Sequence, residues 1–293
     1  MIVKTVAYIG IFLLVLSFSR GSENQTIPCN YAETSFTYLD VAMEMITRAR
    51  RNFPKCRTTF RYKDLKPIDC EELLRNGHNM SGVYTVWPKS RVMEDKPVNV
   101  FCDMDTAEGG WTVIQRRGNY GRSKDYFFKD WDSYKTGFGD IEKDFWLGND
   151  NIFALTNQRL YSIRFDLKAV GGTKRYALYD AFWIDDEAHK YTLHIKDYSG
   201  DAGDSMSGVH DNYKFSTKDQ DNDIHMEENC AKINRGGWWY SRCHHANLNG
   251  AYLRGPHETS SEGVNWKTFK GFEESLDTTE MKIRPKNFGQ RGI

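Results

Sequence analysis

The sequence lacks net charge: Lys plus Arg and Asp plus Glu stand at 40 each in 293 residues. A balance of this kind gives no reason to expect nucleic acid or a charged membrane as the main partner. Long apolar runs are also scarce. The stretch from Val6 to Phe18 is the clearest, and it is shorter than the roughly 18 residues that a spanning helix needs, so no membrane insertion is expected. There is no fixed-period repeat and no low-complexity segment. HExxH, GxSxG and nucleotide-binding fingerprints are missing, and "GGTK" at 171–174 lacks the other P-loop residues and reads as a turn. The protein is therefore not expected to be an enzyme. No CxxC pair or tight Cys/His spacing points to zinc.

What is present begins with a secretory signal. Lys4 precedes the apolar stretch, and Ser17 and Ser19 have the spacing of a signal-peptidase site, so residues 1–19 are expected to be removed and the protein secreted. Six cysteines, Cys29, Cys56, Cys70, Cys102, Cys230 and Cys243, are then disulfide partners in an oxidising compartment. Sequons at Asn24 and Asn79 are compatible with glycosylation in that setting. Hydrophobic residues at 39% and aromatics at 14% supply enough material for a substantial core.

Two textures follow one another. From Phe36 to Phe53 the residues Phe36, Leu39, Met43, Ile46 and Phe53 recur at three- and four-residue steps, with Arg50 at the remaining seam position. That is an amphipathic helix, capped by Thr34 or Ser35 and stopped by Pro54. Its stripe either pairs with other copies as a short coiled coil or docks on the following domain. Beyond Cys70, "GVYTVWP", "PVNVFCDM", "WTVIQRR", "YSIRFDL" and "YTLHIKDY" read as strands, and "CEELLRNG" as a short helix ended by Gly77. The expected class is α+β: a twisted, mostly antiparallel sheet with a few helices and long loops.

One loop is conspicuous. "DQDNDIHMEENC" puts Asp219, Asp221 and Asp223 on alternate positions. It reads as a solvated acidic turn or as a site for a hard cation, which gathers carboxylate and carbonyl oxygens from one loop. An EF-hand is excluded, because Ile224 stands where that loop needs glycine and Cys230 where it needs glutamate.

The segments "CEELLRNGHNMSGVYTVWP", "NVFCDMDTAEGGWTVIQRR", "DFWLGNDNIFALT", "YSGDAGDSMS", "KFSTKDQDND", "NCAKINRGGWWYSRCHHANLNGAYLRG" and "MKIRP" resemble successive landmarks of the fibrinogen C-terminal-like domain. The likeness runs from Cys70 to about Pro285. With the short helix and the signal, the layout is similar to the secreted ficolins and tachylectins. The organisation it implies is a signal at 1–19, a helical, oligomerising segment at 20–69, the domain at 70–285 and a tail at 286–293.

The resemblance also implies site residues. Asp221 and Asp223 would bind Ca2+ through their side chains, with backbone carbonyls of His225 and of Glu227 or Glu228, leaving Asp219 as a neighbour. Disulfides would join Cys70 to Cys102 and Cys230 to Cys243. The Arg242–Cys243 peptide would be cis, aiming the N–H groups of Cys243 and His244 at an acceptor such as an acetyl oxygen. Positions that acetyl-binding members fill with tyrosine, a Tyr-Ala pair and an aromatic are here Asn234, Ser260 with Ser261, and Phe272. Two walls thus become small and polar, and Asn234 and Ser260 are expected to offer hydrogen bonds to more hydroxylated ligands.

The cysteines at the N-terminal end complete the reading. A straight helix over 34–53 is about 28 Å long, whereas a disulfide needs Cα atoms within about 7 Å. Cys29 and Cys56 therefore bridge more easily between chains, which makes a homo-oligomer. The expected function is calcium-dependent recognition of carbohydrate or acetylated ligands on cell surfaces, of innate-immunity type. A fibrinogen-like domain that binds protein without sugar recognition, as a receptor ligand or a clotting-type structural protein, is the alternative.

Overall fold

The computed structural model describes residues 29–52, 66–90, 96–259 and 261–289. The expected signal peptide, Asn24, Cys56 and Ser260 lie outside them, and Cys29 is described only as backbone. The chain divides near residue 62 into two units, each described by itself.

The first unit contributes helix α1, Cys29–Asn52. It starts earlier than expected, so Thr34 and Ser35 are interior residues and not caps. The reason is local: no glycine or proline lies between Asn30 and Ser35 to oppose helix. Phe36, Leu39, Met43 and Ile46 are all more than half exposed, and Arg48 pairs with Glu44 one turn back at 2.7 Å.

In the second unit, helix α2 (Cys70–Arg75) opens the chain, with Asp69 Oδ1 accepting the N–H of Glu72 as its cap. The strands follow as β1 (Gly82–Val86), β2 (Val98–Asp103), β3 (Trp111–Arg117), β4 (Tyr161–Lys168), β5 (Lys174–Ile184), β6 (Leu193–Gly200) and β7 (Thr278–Pro285). They form one antiparallel sheet in the order β1–β2–β3–β7–β4–β5–β6, with the two-residue strand Phe145–Trp146 added on β3. The last of the described strands therefore sits at the centre, between β3 and β4. The "GGTK" segment is the turn from β4 to β5, with Gly172 at φ 87°.

Period-two alternation decides which face is dry. Ile163, Phe165 and Leu167 of β4, with Met281 and Ile283 of β7, are buried on one side. Arg164, Asp166 and Glu280 occupy the other. There Lys282, 2% exposed, meets Asp103 at 2.6 Å, Asp166 at 2.7 Å and Glu280 at 2.9 Å. Burial alone would disfavour the ammonium, but three carboxylates hold its pKa well above the ordinary lysine value. A cleft of about 510 Å³ on this polar face includes Arg116, Arg164, Tyr176, Glu280 and Lys282 in its lining.

Short helices α3 (Trp131–Thr136) and α4 (Asn149–Thr156) precede β4. Between β6 and β7 the chain is mostly irregular. Its regular pieces are helix α5 (Cys230–Ile233), helix α6 (Lys267–Lys270) and the pairs Ala246–Asn247 with Asn265–Trp266 and Gly255–Pro256 with Glu274–Ser275. This region is anchored by rings. Trp238, Trp239, Tyr240 and Trp266 are fully buried, and Trp239 packs on Trp146 and Phe215. Each such ring removes about 150–250 Å² from water, on the order of 4–6 kcal/mol at 25 cal/mol per Å².

Candidate functional site

The acidic loop is built around Asp223. Its Oδ1 accepts the N–H of His225 and its Oδ2 the N–H of Cys230, each at 2.8 Å. Burial pushes the Asp223 carboxyl above its ordinary value, and the negative Asp221 beside it adds to the rise, while those N–H bonds oppose it. Asp219 is used elsewhere: its Oδ1 accepts the N–H of Trp131 at 3.0 Å and the Thr217 hydroxyl at 2.7 Å, fastening the loop to the start of α3. The carbonyl oxygens of His225, Glu227 and Glu228 accept no hydrogen bond from a described residue. Among the described residues no group of three or more His, Cys, Asp or Glu side chains is arranged as a metal site.

Two crowded carboxylates and uncommitted carbonyls nevertheless make an oxygen donor set that suits a hard cation, which would relieve the repulsion between Asp221 and Asp223. Asp221 and Asp223, with the carbonyls of His225 and of Glu227 or Glu228, are the residues that would hold Ca2+.

The second loop is tied to the first by a disulfide. Cys230 bonds to Cys243 with Cα atoms 5.4 Å apart, and the Arg242–Cys243 peptide is cis. The backbone N–H groups of Cys243 and His244 donate to no described group. His244, 7% exposed, brings Nε2 to 3.2 Å from Asn234 Oδ1 and 3.1 Å from the Ser261 carbonyl. Two acceptors require Nε2 to carry the proton, and burial lowers the ring's pKa to about 3, so the imidazole is neutral. Phe272 stands edge-on to His244 at 5.5 Å between centroids. Lys267 Nζ lies 2.9 Å from His245 Nε2 and 5.5 Å from the Phe272 ring centre.

Residues 66–286 match the family model of the C-terminal globular domain of fibrinogen beta and gamma chains. The chain belongs to this family. Among curated relatives, Techylectin-5A of Tachypleus tridentatus is 58% identical over 222 residues, 76% of this chain and 75% of that protein. A Techylectin-like protein of Phoneutria nigriventer is 47% identical over 256 residues, 87% of this chain and 97% of that one. The fibrinogen-like globe domain of human ANGPTL2 superposes with a TM-score of 0.70 at 40% identity, covering 75% of this chain and 99% of the other. Lamprey fibrin D-dimer, solved with the peptide Gly-His-Arg-Pro-amide, gives 0.69 at 29% identity, covering 100% and 97%.

Within this fibrinogen-type domain, Cys243, His244, Ser261 and Phe272 are brought together, with Arg242 exposed beside them. Asn234 is a correction. The sequence resemblance has it offer a hydrogen bond to ligand, but it is 1% exposed and its amide is turned inward: Nδ2 donates to the Cys230 carbonyl at 2.8 Å and Oδ1 faces His244. As the residue closing α5, it is drawn into the turn that α5 and the disulfide share. Cys70 is bonded to Cys102, joining α2 to β2. Asn79 is exposed between α2 and β1.

Sequence reasoning missed the supports beneath the loop. Arg117 Nη1 of β3 donates to the carbonyls of Leu248 and Gly250 at 2.9 Å each, and Gln115 Nε2 to Leu248 at 2.9 Å. Asn247 Nδ2 donates to the Asn234 carbonyl at 2.9 Å, and Tyr240 Oη to Asn247 Oδ1 at 2.8 Å. Gly236 is required by proximity: a Cβ there would lie 2.2 Å from the Asn249 carbonyl oxygen. The segment "NLNG" was visible in the sequence, but which of its carbonyls meet β3 was not.

Proposed function

We propose that this chain is a secreted, calcium-dependent lectin that recognises glycans, acetylated ones among them, by binding and not by catalysis. The observation that carries the reading is the pair of uncommitted N–H groups at Cys243 and His244, on a loop joined by a disulfide to the acidic loop. Two adjacent, uncommitted backbone donors suit a carbonyl or hydroxyl oxygen of a ligand. Half-buried Phe272 and buried, neutral His244 supply adjoining ring surface for an apolar group such as a methyl. The likeness to techylectins supports the same reading.

Calcium at Asp221 and Asp223 would stabilise the loop from the side, and extracellular sites of this kind commonly work at about 10⁻⁴ to 10⁻³ M. Self-association through α1 would place several weak sites on one surface and raise avidity. A second reading, peptide recognition, is favoured by one observation, the fold neighbour solved with Gly-His-Arg-Pro-amide. The test is binding to immobilised N-acetylated and non-acetylated glycans, and to that peptide, with and without calcium. Calcium-dependent retention on glycans supports the lectin. Retention on the peptide alone overturns it.

A further inference from the structure

His210 lies on the turn after Met206 and is completely buried. Its Nδ1 is 2.7 Å from the Trp239 carbonyl, and its Nε2 is 3.1 Å from the backbone nitrogens of both His245 and Ala246. The chemistry fixes the tautomer. Backbone N–H groups only donate, so Nε2 must present its lone pair to them and the single ring proton must sit on Nδ1, directed at Trp239. One neutral imidazole thus joins the two ends of the segment from Trp239 to Ala246, the segment that holds the disulfide, the cis peptide and the two donors at Cys243 and His244. Burial agrees with neutrality, lowering the pKa to about 4.

We propose that His210 is a positioning residue of the recognition loop: it clamps the loop's base and so sets the direction of the Cys243 and His244 N–H groups, without touching ligand. This rests on the lectin reading for its functional consequence, but the clamp itself is readable without any ligand. The rest of the segment is tied at its middle, where Ser241 N–H donates to the Cys243 carbonyl at 2.9 Å. At its outgoing end, Lys267 N–H donates to the His245 carbonyl at 2.9 Å. Tyr240 Oη, donating to Asn247 Oδ1 at 2.8 Å, also ties the two ends one residue further along, but the imidazole is what holds the backbone N–H groups of His245 and Ala246, next to the two donors.

Substitutions separate the two halves of the clamp. His210→Gln keeps an acceptor near the Nε2 position, His210→Asn keeps a donor near Nδ1, and His210→Phe keeps the volume and loses both. The calcium-loaded full chain is measured for amide hydrogen exchange at His245 and Ala246, for the amide NMR shifts of Cys243 and His244, and for binding to N-acetylglucosamine-agarose. Near-UV circular dichroism checks the fold.

Expected are faster exchange, displaced Cys243 and His244 shifts and at least about tenfold weaker binding in the Asn and Phe variants, the loss of more than one net hydrogen bond. Gln should stay within about threefold of the parent, retaining the two bonds to Nε2. Unchanged exchange, unmoved Cys243 and His244 shifts, or a Gln variant as impaired as Phe overturns the clamp. Should the unaltered protein ignore the acetylated sugar, its recognition of acetylated glycans fails, and exchange with the two amide shifts still decides the clamp.

Discussion

The backbone N–H of Cys230 donates to Asp223 Oδ2 at 2.8 Å. The carboxylate that would face calcium is thereby fastened to the cysteine whose disulfide carries the loop proposed to recognise ligand. Removing calcium should lower the melting temperature and weaken glycan binding together. Asp223→Ala should cost more stability than Asp221→Ala, because it also strips an acceptor from the N–H groups of His225 and Cys230. Calorimetry with and without chelator checks this, and identical melts would refute it.

Replacing Cys230 and Cys243 together by alanine removes a bridge with a sequence separation of 13. The chain-entropy estimate for a loop this short is about 3 kcal/mol. Denaturant midpoints should fall accordingly, and glycan binding should be lost even where the domain remains folded. Retained binding in the double variant would separate the disulfide from recognition.

Stability should fall on acidification from about pH 6.5 toward pH 4. His210 is lowered to about 4 and His244 to about 3 from an ordinary 6.5, in each case first by burial. Between the folded and unfolded values the unfolded chain binds more protons, so stability rises with pH through that window and is full above it. His210, His244 and His245 are titratable neighbours of one another, and Asp204 is a further charged neighbour of His210. His210→Gln should flatten part of the slope in melts taken from pH 7 to pH 4.

Asn234→Tyr is expected to destabilise without restoring an acetyl-selective wall. The site is 1% exposed and already close-packed, and overpacking a core position costs about 1–3 kcal/mol. Glycan binding measured beside the melt would show improved acetyl selectivity if Asn234 faced the ligand after all.

If α1 mediates self-association as proposed, charge introduced on its exposed stripe, as Leu39→Asp with Ile46→Asp, should reduce any assembly beyond the disulfide-linked unit to smaller species by light scattering, because like charges then face one another across the seam. A non-reducing gel should show covalent multimers through Cys29 and Cys56. Monomer alone in both measurements would remove multivalency from the proposal.

The strands β1 to β4 and β6, and helix α2, were legible in the sequence because each has local apolar alternation or a cap and stop of its own. Strand β5 was not, since "RYALYDAFW" carries apolar residues on both faces and shows no period. Helix α1 was legible in kind but not in its start, because helix beginning is a weak local preference and nothing upstream opposes it. Family membership was carried by motif order, which needs no geometry. Tertiary structure alone decided the inward turn of Asn234, the fastening of Asp219 to Trp131, and the meeting of His210 with Trp239, His245 and Ala246. Those outcomes depend on hydrogen bonds between residues far apart in the chain, and a buried donor or acceptor takes whichever partner folding places within reach.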